Sequence, residues 1–178
     1  MIPKIFIETE RLYLRQWQPD DEAAYITINN DEKVIKFFPT TLTAEQSLQH
    51  IGYITEHITK VGYGLFAFEK KEDHFFIGIT GISHPAFDAS FTPCMEIGWR
   101  LATSSWNRGF ATEAAKACLV YGFKRLAFKD VCSFTAVQNA KSDQVKKKIG
   151  MQKAGEFDHP LQQKGHSLQK HVLYKIVN

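Results

Sequence analysis

The 178 residues are 44% hydrophobic and 13% aromatic, with 14 Phe, which is enough apolar material for one sizeable core and points to a single domain over residues 1–178. Lys and Arg total 22 against 19 Asp and Glu, and a net charge of +3 excludes the strongly basic balance of a dedicated nucleic-acid binder. Cys94, Cys118 and Cys132 form no CxxC pair and are too few for a disulfide framework; with no secretory-signal pattern and no bilayer-length apolar run, a cytoplasmic protein without a membrane partner is expected.

In chain order, Leu12 and Leu14 alternate with Tyr13 and Arg15 at the two-residue period of a strand, and Pro19-Asp20-Asp21-Glu22 supplies start signals for a helix that fades near Asn29-Asn30. Thr43 and Gln46 form a capping-box pattern ahead of Leu48, Ile51, Ile54 and Ile58, which predicts a helix from about Ala44 to Lys60. The β-branched and aromatic runs Tyr63–Glu69 and His74–Ser83 flank the polar stretch Lys70-Lys71-Glu72-Asp73, the pattern of a β-hairpin, and a further strand runs from Cys94 to Leu101. A helix from about Gly109 to Leu126 and a strand from Val131 to Ala136 complete a strand–helix–strand order that predicts a right-handed crossover. The helix carries Ala111, Ala115, Cys118, Leu119, Gly122 and Leu126 on one stripe, small enough to lie close to a sheet. A short helix from Ser142 to Ile149 ends at Gly150, and two strand-like segments follow. No repeat or linker divides the chain, so the elements share one mixed α/β core of the α+β type.

Chemistry concentrates in Ser105-Trp106-Asn107-Arg108-Gly109-Phe110-Ala111-Thr112-Glu113, between a strand and the long helix. The first amides of a helix have no carbonyl partner within it, and the helix dipole puts partial positive charge at the same place. Gly109 lets a ligand approach the backbone, Ala111 adds little bulk, and Arg108 and the Thr112 hydroxyl add donors, so a pyrophosphate fits. The bland alternative is a tight loop that only aims the helix.

Four stretches together resemble the GNAT superfamily of N-acetyltransferases, in the branch of the ribosomal-protein N-terminal acetyltransferases. Glu8 to Arg15 looks like that branch's first strand, and Met95-Glu96-Ile97-Gly98-Trp99 like its fourth. Trp106-Asn107-Arg108-Gly109-Phe110-Ala111 is similar to the (Q/R)-x-x-G-x-(G/A) pattern with Trp first, and Asn139 to Met151 resembles its asparagine-to-glycine helix segment. The resemblance implies a mixed, mostly antiparallel sheet of about seven strands, splayed between the fourth and fifth and flanked by about four helices. It further implies acetyl-CoA as cofactor, with pantetheine held by backbone groups of Trp99, Arg100 and Leu101 and pyrophosphate held by Arg108, Gly109, Phe110, Ala111 and Thr112. Gly98 is suited to a bulge that starts the splay.

Amine acetylation needs a proton acceptor and a donor for the developing oxyanion. Glu96, on the face opposite Met95 and Ile97, is the candidate base, with an ion pair to Arg100 as its structural alternative; a backbone N–H near Gly98-Trp99 is the candidate oxyanion donor. The tyrosine that many superfamily members use to protonate the leaving thiolate is replaced by Lys146, in a Lys146-Lys147-Lys148 run that reads as a solvated helix face or a contact for the ribose phosphate. Ser142 is the substitute donor unless it serves as an N-cap, and Asn139 could orient the cofactor. Phe37 and Phe38 stand where an acceptor cleft or a core would take them, His50 and His57 read as solvated or capping, and His84 and His159 as loop features. No metal-ligand, nucleophile-elbow or P-loop pattern occurs. The leading expectation is acetyl transfer to a protein N-terminus, polyamine or small-molecule amine by a monomer or homodimer, with no nucleic-acid partner. A catalytically silent acyl-CoA sensor is the alternative from another class, and an RNA-binding domain a weaker third.

Overall fold

The alternation and capping signals become elements whose ends shift by only a few residues. The computed structural model describes residues 3–178. Its strands are β1 (Ile5–Glu8), β2 (Leu12–Arg15), β3 (Leu65–Lys70), β4 (Phe76–Ser83), β5 (Glu96–Leu101), β6 (Asp130–Ala136), β7 (Gln152–Asp158) and β8 (Lys170–Val177). Its helices are α1 (Asp21–Asn30), α2 (Glu32–Ile35), α3 (Ala44–Val61), α4 (Phe110–Arg125) and α5 (Ala140–Lys148), with a 3-10 turn at Thr103–Ser105.

Among the described residues there are thus eight strands and five helices, one more of each than expected. The opening segment is a hairpin because Thr9 turns it: Thr9 N–H donates to Leu12 O and Leu12 N–H to Thr9 Oγ1. The additional helix starts because Asp31 accepts from Lys33 N–H and restarts a turn where α1 ends. The capping box at Thr43 and Gln46 is present, and α3 closes at Gly62 with φ of 80°.

The strands form one sheet in the order β1-β2-β3-β4-β5-β6-β8-β7, and among the described residues only the β5–β6 pair is parallel. From Gly78↔Leu101 to Ser83↔Glu96, β4 and β5 pair without a register shift, so opposite residues share a face. Ile97, Trp99 and Leu101 lie with Thr80 and Ile82 on the face covered by α4. A Cβ on Gly122 would come within 2.9 Å of Ile82 Cδ1, so α4 lies close enough to the sheet that a larger residue there would push that side chain aside. Glu96, Gly98 and Arg100 point to the other face, where α1 packs on β4.

The splay is present, but Gly98 carries no bulge: it pairs in register with Gly81. β5 and β6 share one pair of partners, Glu96↔Cys132, pinned by Cys132 N–H donating to Met95 O at 2.7 Å. Past that point β5 follows β4 and β6 follows β8, each fully paired on its outer side, and the strand twist carries them apart.

Candidate active site

At the start of α4, Asn107 (φ 59°) and Gly109 (φ 80°) both adopt left-handed backbone conformations, and no side chain caps the helix. Glu113 N–H makes the first helical bond, to Gly109 O; among the described residues the amides from 107 to 112 donate to no protein group. Asn107, Arg108 and Gly109 are exposed, so this run of donors opens outward. Arg108 lies 5.0 Å and Arg11 4.6 Å from the Phe110 ring centroid, which sets two guanidinium groups beside the amides, and Lys141 Nζ lies 4.2 Å from the Trp106 ring. Arg11 also donates to Arg108 O and pairs with Glu113, which accepts from Thr9 Oγ1 as well. Sequence reasoning missed Arg11, because its role depends on a contact spanning 97 residues. Unpartnered amides, a helix N-terminus and two guanidinium groups fit a diphosphate.

The inner edge of β5 is half free. Ala102 N–H donates to Ile77 O, which sets the phase of the ladder: Arg100 and Gly98 direct their main-chain groups at β4, while Trp99 and Leu101 direct theirs into the splay. Leu101 O is already taken by Trp106 Nε1–H at 2.9 Å. The main-chain groups left facing the splay are therefore both groups of Trp99 and Leu101 N–H, while the amide and carbonyl of Arg100 belong to the sheet.

Across the splay stand two ionisable groups. Glu96 makes no ion pair with Arg100 or any other cation among the described residues, so the structural alternative for it fails. Burial, with the neighbouring Cys94 thiol, pushes its carboxyl up to about 8 against the attraction of Lys146. Lys146 departs from its expectation: it is 0% exposed, whereas Lys147 and Lys148 remain in solvent. Its ammonium donates to Ser142 Oγ at 2.7 Å and lies 5.2 Å from the Trp99 ring centroid. Burial pulls its pKa down to about 7, partly offset by Asp143 and Glu96. Ser142 is not the cap of α5. Asn139 is: its Oδ1 accepts from Ser142 N–H and its Nδ2 donates to Thr135 Oγ1, so both ends of the amide orient α5 instead of a ligand.

Comparison with known proteins decides the family. The acetyltransferase (GNAT) domain matches residues 11–152. The chain belongs to the GNAT acetyltransferase family. This acetyltransferase is 30% identical over 152 residues to the uncharacterized protein YkkB of Bacillus subtilis, covering 85% of this chain and 87% of that one. Its fold is similar to a GNAT-family acetyltransferase from Bacillus anthracis, with TM-score 0.79, 26% identity, and 96% and 97% of the two chains covered. The fold is also shared by the ribosomal-protein-S5-alanine acetyltransferase from Vibrio fischeri, with TM-score 0.72, 20% identity, and 100% and 97% covered. The family transfers acetyl groups from acetyl-CoA. Among the described residues, no helix of this acetyltransferase is long and apolar enough to cross a membrane.

The acetyltransferase's histidines are less solvated than expected. His50 Nδ1 meets Tyr25 OH at 2.6 Å, and His57 lies between the rings of Tyr53 and Tyr63. His159 is no mere loop feature: it is buried, its ring 4.6 Å from that of His171 in a cluster with Phe87, Phe134 and Phe157.

The burial of Lys146 has a stability consequence. With a folded pKa near 7 against an ordinary 10.5, the unfolded chain holds its proton more tightly. The penalty is full below about pH 7 and fades as pH rises to about 10.5, with an upper size on the order of 5 kcal/mol. Lys146→Met is expected to raise the unfolding free energy by about 1–3 kcal/mol at pH 6.5 and by almost nothing near pH 10, in denaturant titrations at the two pH values. An equal effect at both would mean that the lysine stays fully charged when folded.

Proposed function

We propose that this acetyltransferase binds acetyl-CoA with its diphosphate on the amides of residues 107–112 and its pantetheine along Trp99 and Leu101, and passes the acetyl group directly to a primary amine in a ternary complex. The acceptor class is an amine of a protein N-terminus, a polyamine or a small molecule, and the protein acts as a cytoplasmic enzyme, which its three unpaired, buried cysteines suit. One observation supports the reading above others: the splay in β5–β6 separates a lone carboxyl, Glu96, on one face of the sheet from a lysine–serine pair, Lys146 and Ser142, on the other.

Acetyl-CoA supplies the thioester carbonyl that an unprotonated amine can attack. Glu96, as carboxylate, takes the proton from the amine, directly or through one water. Trp99 N–H, the first β5 amide aimed into the splay past the single β6 pairing, faces the developing oxyanion; this refines the choice between Gly98 and Trp99, since the Gly98 amide is engaged with β4. Ser142 gives its hydroxyl proton to the departing sulfur, and the Lys146 ammonium 2.7 Å away replaces it. The tyrosine missing from α5 thus has a two-residue substitute.

Release of free thiol from acetyl-CoA, followed across a panel of amines, tests this. Thiol release that needs an amine and falls with Glu96→Gln is expected. Acetyl-CoA binding without turnover for any amine, indifferent to Glu96→Gln, would replace the reading by that of an acyl-CoA sensor.

A further inference from the structure

Two arginines lie largely out of water, Arg15 buried and Arg100 half-buried, and the protein treats them differently. Arg15, 4% exposed, is held by two carboxylates: Asp21 takes Nη1 and Nη2, and Glu69 takes Nε. That is how a guanidinium with a purely structural role is neutralised, since a charge taken out of water needs a counter-charge and its donors need acceptors. Arg100 has neither. Its Nη1 donates to Asn29 Oδ1, its Nε is sealed from water with no partner, and no carboxylate lies within ion-pair distance among the described residues. Phe38 covers the guanidinium at 4.1 Å from its centroid.

The surroundings of Arg100 are neutral and rigid. Asn29, itself fully buried, donates to Ser47 Oγ at 2.9 Å, which fixes the oxygen that holds Arg100. Tyr25 and His50 are bonded to each other; the charge of Arg100 opposes the charging of His50, on top of burial, and favours the Tyr25 phenolate only against a larger desolvation cost. The remaining ionisable group on this face of β5 is Glu96. Arginine stays protonated in such places, so a positive charge is left with the Nη2 edge of its fork unused, Nε being sealed from water.

Arg100 shares its face of β5 with Glu96, with Gly98 between them. A Cβ at Gly98 would meet nothing within 4 Å, so the floor between the two side chains is open. Four residues of strand set their Cα atoms about 13 Å apart. We infer that Arg100 is an anion-binding subsite for the acceptor, and that the preferred substrate is a primary amine carrying a carboxylate or phosphate several bonds from its nitrogen, as in a peptide whose first residues include an acidic side chain. The amine lies at Glu96 and the anion takes the free edge of the Arg100 fork. A free α-amino acid, whose two charges are a single carbon apart, cannot reach both. The neutral wall of Tyr25, Asn29, His50 and Phe38 gives the anion no competitor for that edge. A polyamine acceptor is disfavoured by the same charge.

This rests on the acetyltransferase reading, and its test separates the two. Tetrapeptide amines Ala-Asp-Ala-Ala, Ala-Asn-Ala-Ala, Ala-Lys-Ala-Ala and the phosphoserine counterpart are compared by kcat/KM for thiol release. The Asp peptide is expected to exceed its isosteric Asn partner by about 10–100-fold, chiefly through KM, as one charge-assisted hydrogen bond is worth about 1.5–3 kcal/mol. A phosphoserine peptide that leads the Asp peptide assigns the site to phosphate; the reverse order assigns it to carboxylate. In Arg100→Met the Asp-to-Asn ratio falls to about one, and in Arg100→Lys, which keeps charge and loses the fork, it is intermediate. Acetyl-CoA titration of each variant shows that the domain is intact, and the wild-type ratio decides even if a variant does not fold. Equal turnover of the Asp and Asn peptides, or preference for Lys, overturns the subsite while leaving acetyl transfer standing. No turnover of any amine overturns the transfer reading itself.

Discussion

Replacing Gly109 by aspartate is expected to lower acetyl-CoA affinity by at least about 100-fold, or roughly 2.7 kcal/mol, while the melting temperature hardly moves. Position 109 sits at φ of 80°, where a side chain costs about 1 kcal/mol, and its Cβ would lie 3.5 Å from Arg11 Nη2. An aspartate at a helix N-cap recovers much of that cost, because its carboxylate accepts from the first-turn amides and complements the dipole. The same compensation ruins binding: the amides from 107 to 112, unpartnered in the wild type, become occupied by an internal anion, and Arg11 gains a second carboxylate beside Glu113. Gly109→Ala carries the backbone strain without the charge and is expected to lose only about 5- to 10-fold. Calorimetric titration of the three proteins checks this ordering. An aspartate variant that titrates like the wild type would mean that the diphosphate lies on some other surface.

The cradle was the most legible part of the site because everything it requires is local. A strand end, a glycine and a helix start lie within nine residues, and unpartnered amides follow from helix geometry without regard to distant packing. The sheet was legible for a related reason, since period-two alternation and capping boxes are short-range signals. What stayed hidden depends on contacts far along the chain. Arg11 reaches the cradle only because Glu113, 102 residues away, accepts from both its backbone and its side chain. The pairing of Arg100 with Asn29 spans 71 residues, and nothing near Arg100 in sequence shows that the obvious partner, Glu96, declines it. Lys146 is the instructive failure. Three consecutive lysines look like a solvated face, yet the first points toward the sheet while the next two flank it, because one helix turn separates Lys146 from Ser142, to which it donates, and sets its ammonium over Trp99. Composition identifies the run; only helix phase against a particular strand identifies which member is buried.

That burial shapes the pH dependence of turnover. In the proposed mechanism Glu96 must be ionised to accept a proton, and its pKa is pushed up to about 8; Lys146 must be protonated to give one, and its pKa is pulled down to about 7. Raising the pH charges the first and discharges the second, so the working form, Glu96 carboxylate with Lys146 ammonium, is a minority at every pH. The expected kcat profile is a narrow bell centred at about pH 7.5, falling about tenfold per unit on both sides. Glu96→Gln is expected to cost about 100- to 10,000-fold and to flatten the acid limb. Lys146→Met removes the alkaline limb: the rate climbs to a plateau about 10- to 100-fold below the wild-type maximum. Its remaining limb moves upward, since the ammonium that favoured the Glu96 carboxylate is gone. Deprotonation of the acceptor also produces an acid limb, so the profile is taken with two amines whose own pKa values differ by about 2 units. A limb that stays in place belongs to Glu96, and one that follows the amine does not. Wild-type activity that keeps rising past about pH 9 and is untouched by Lys146→Met would remove the lysine from the proton path and leave its burial without a catalytic reason.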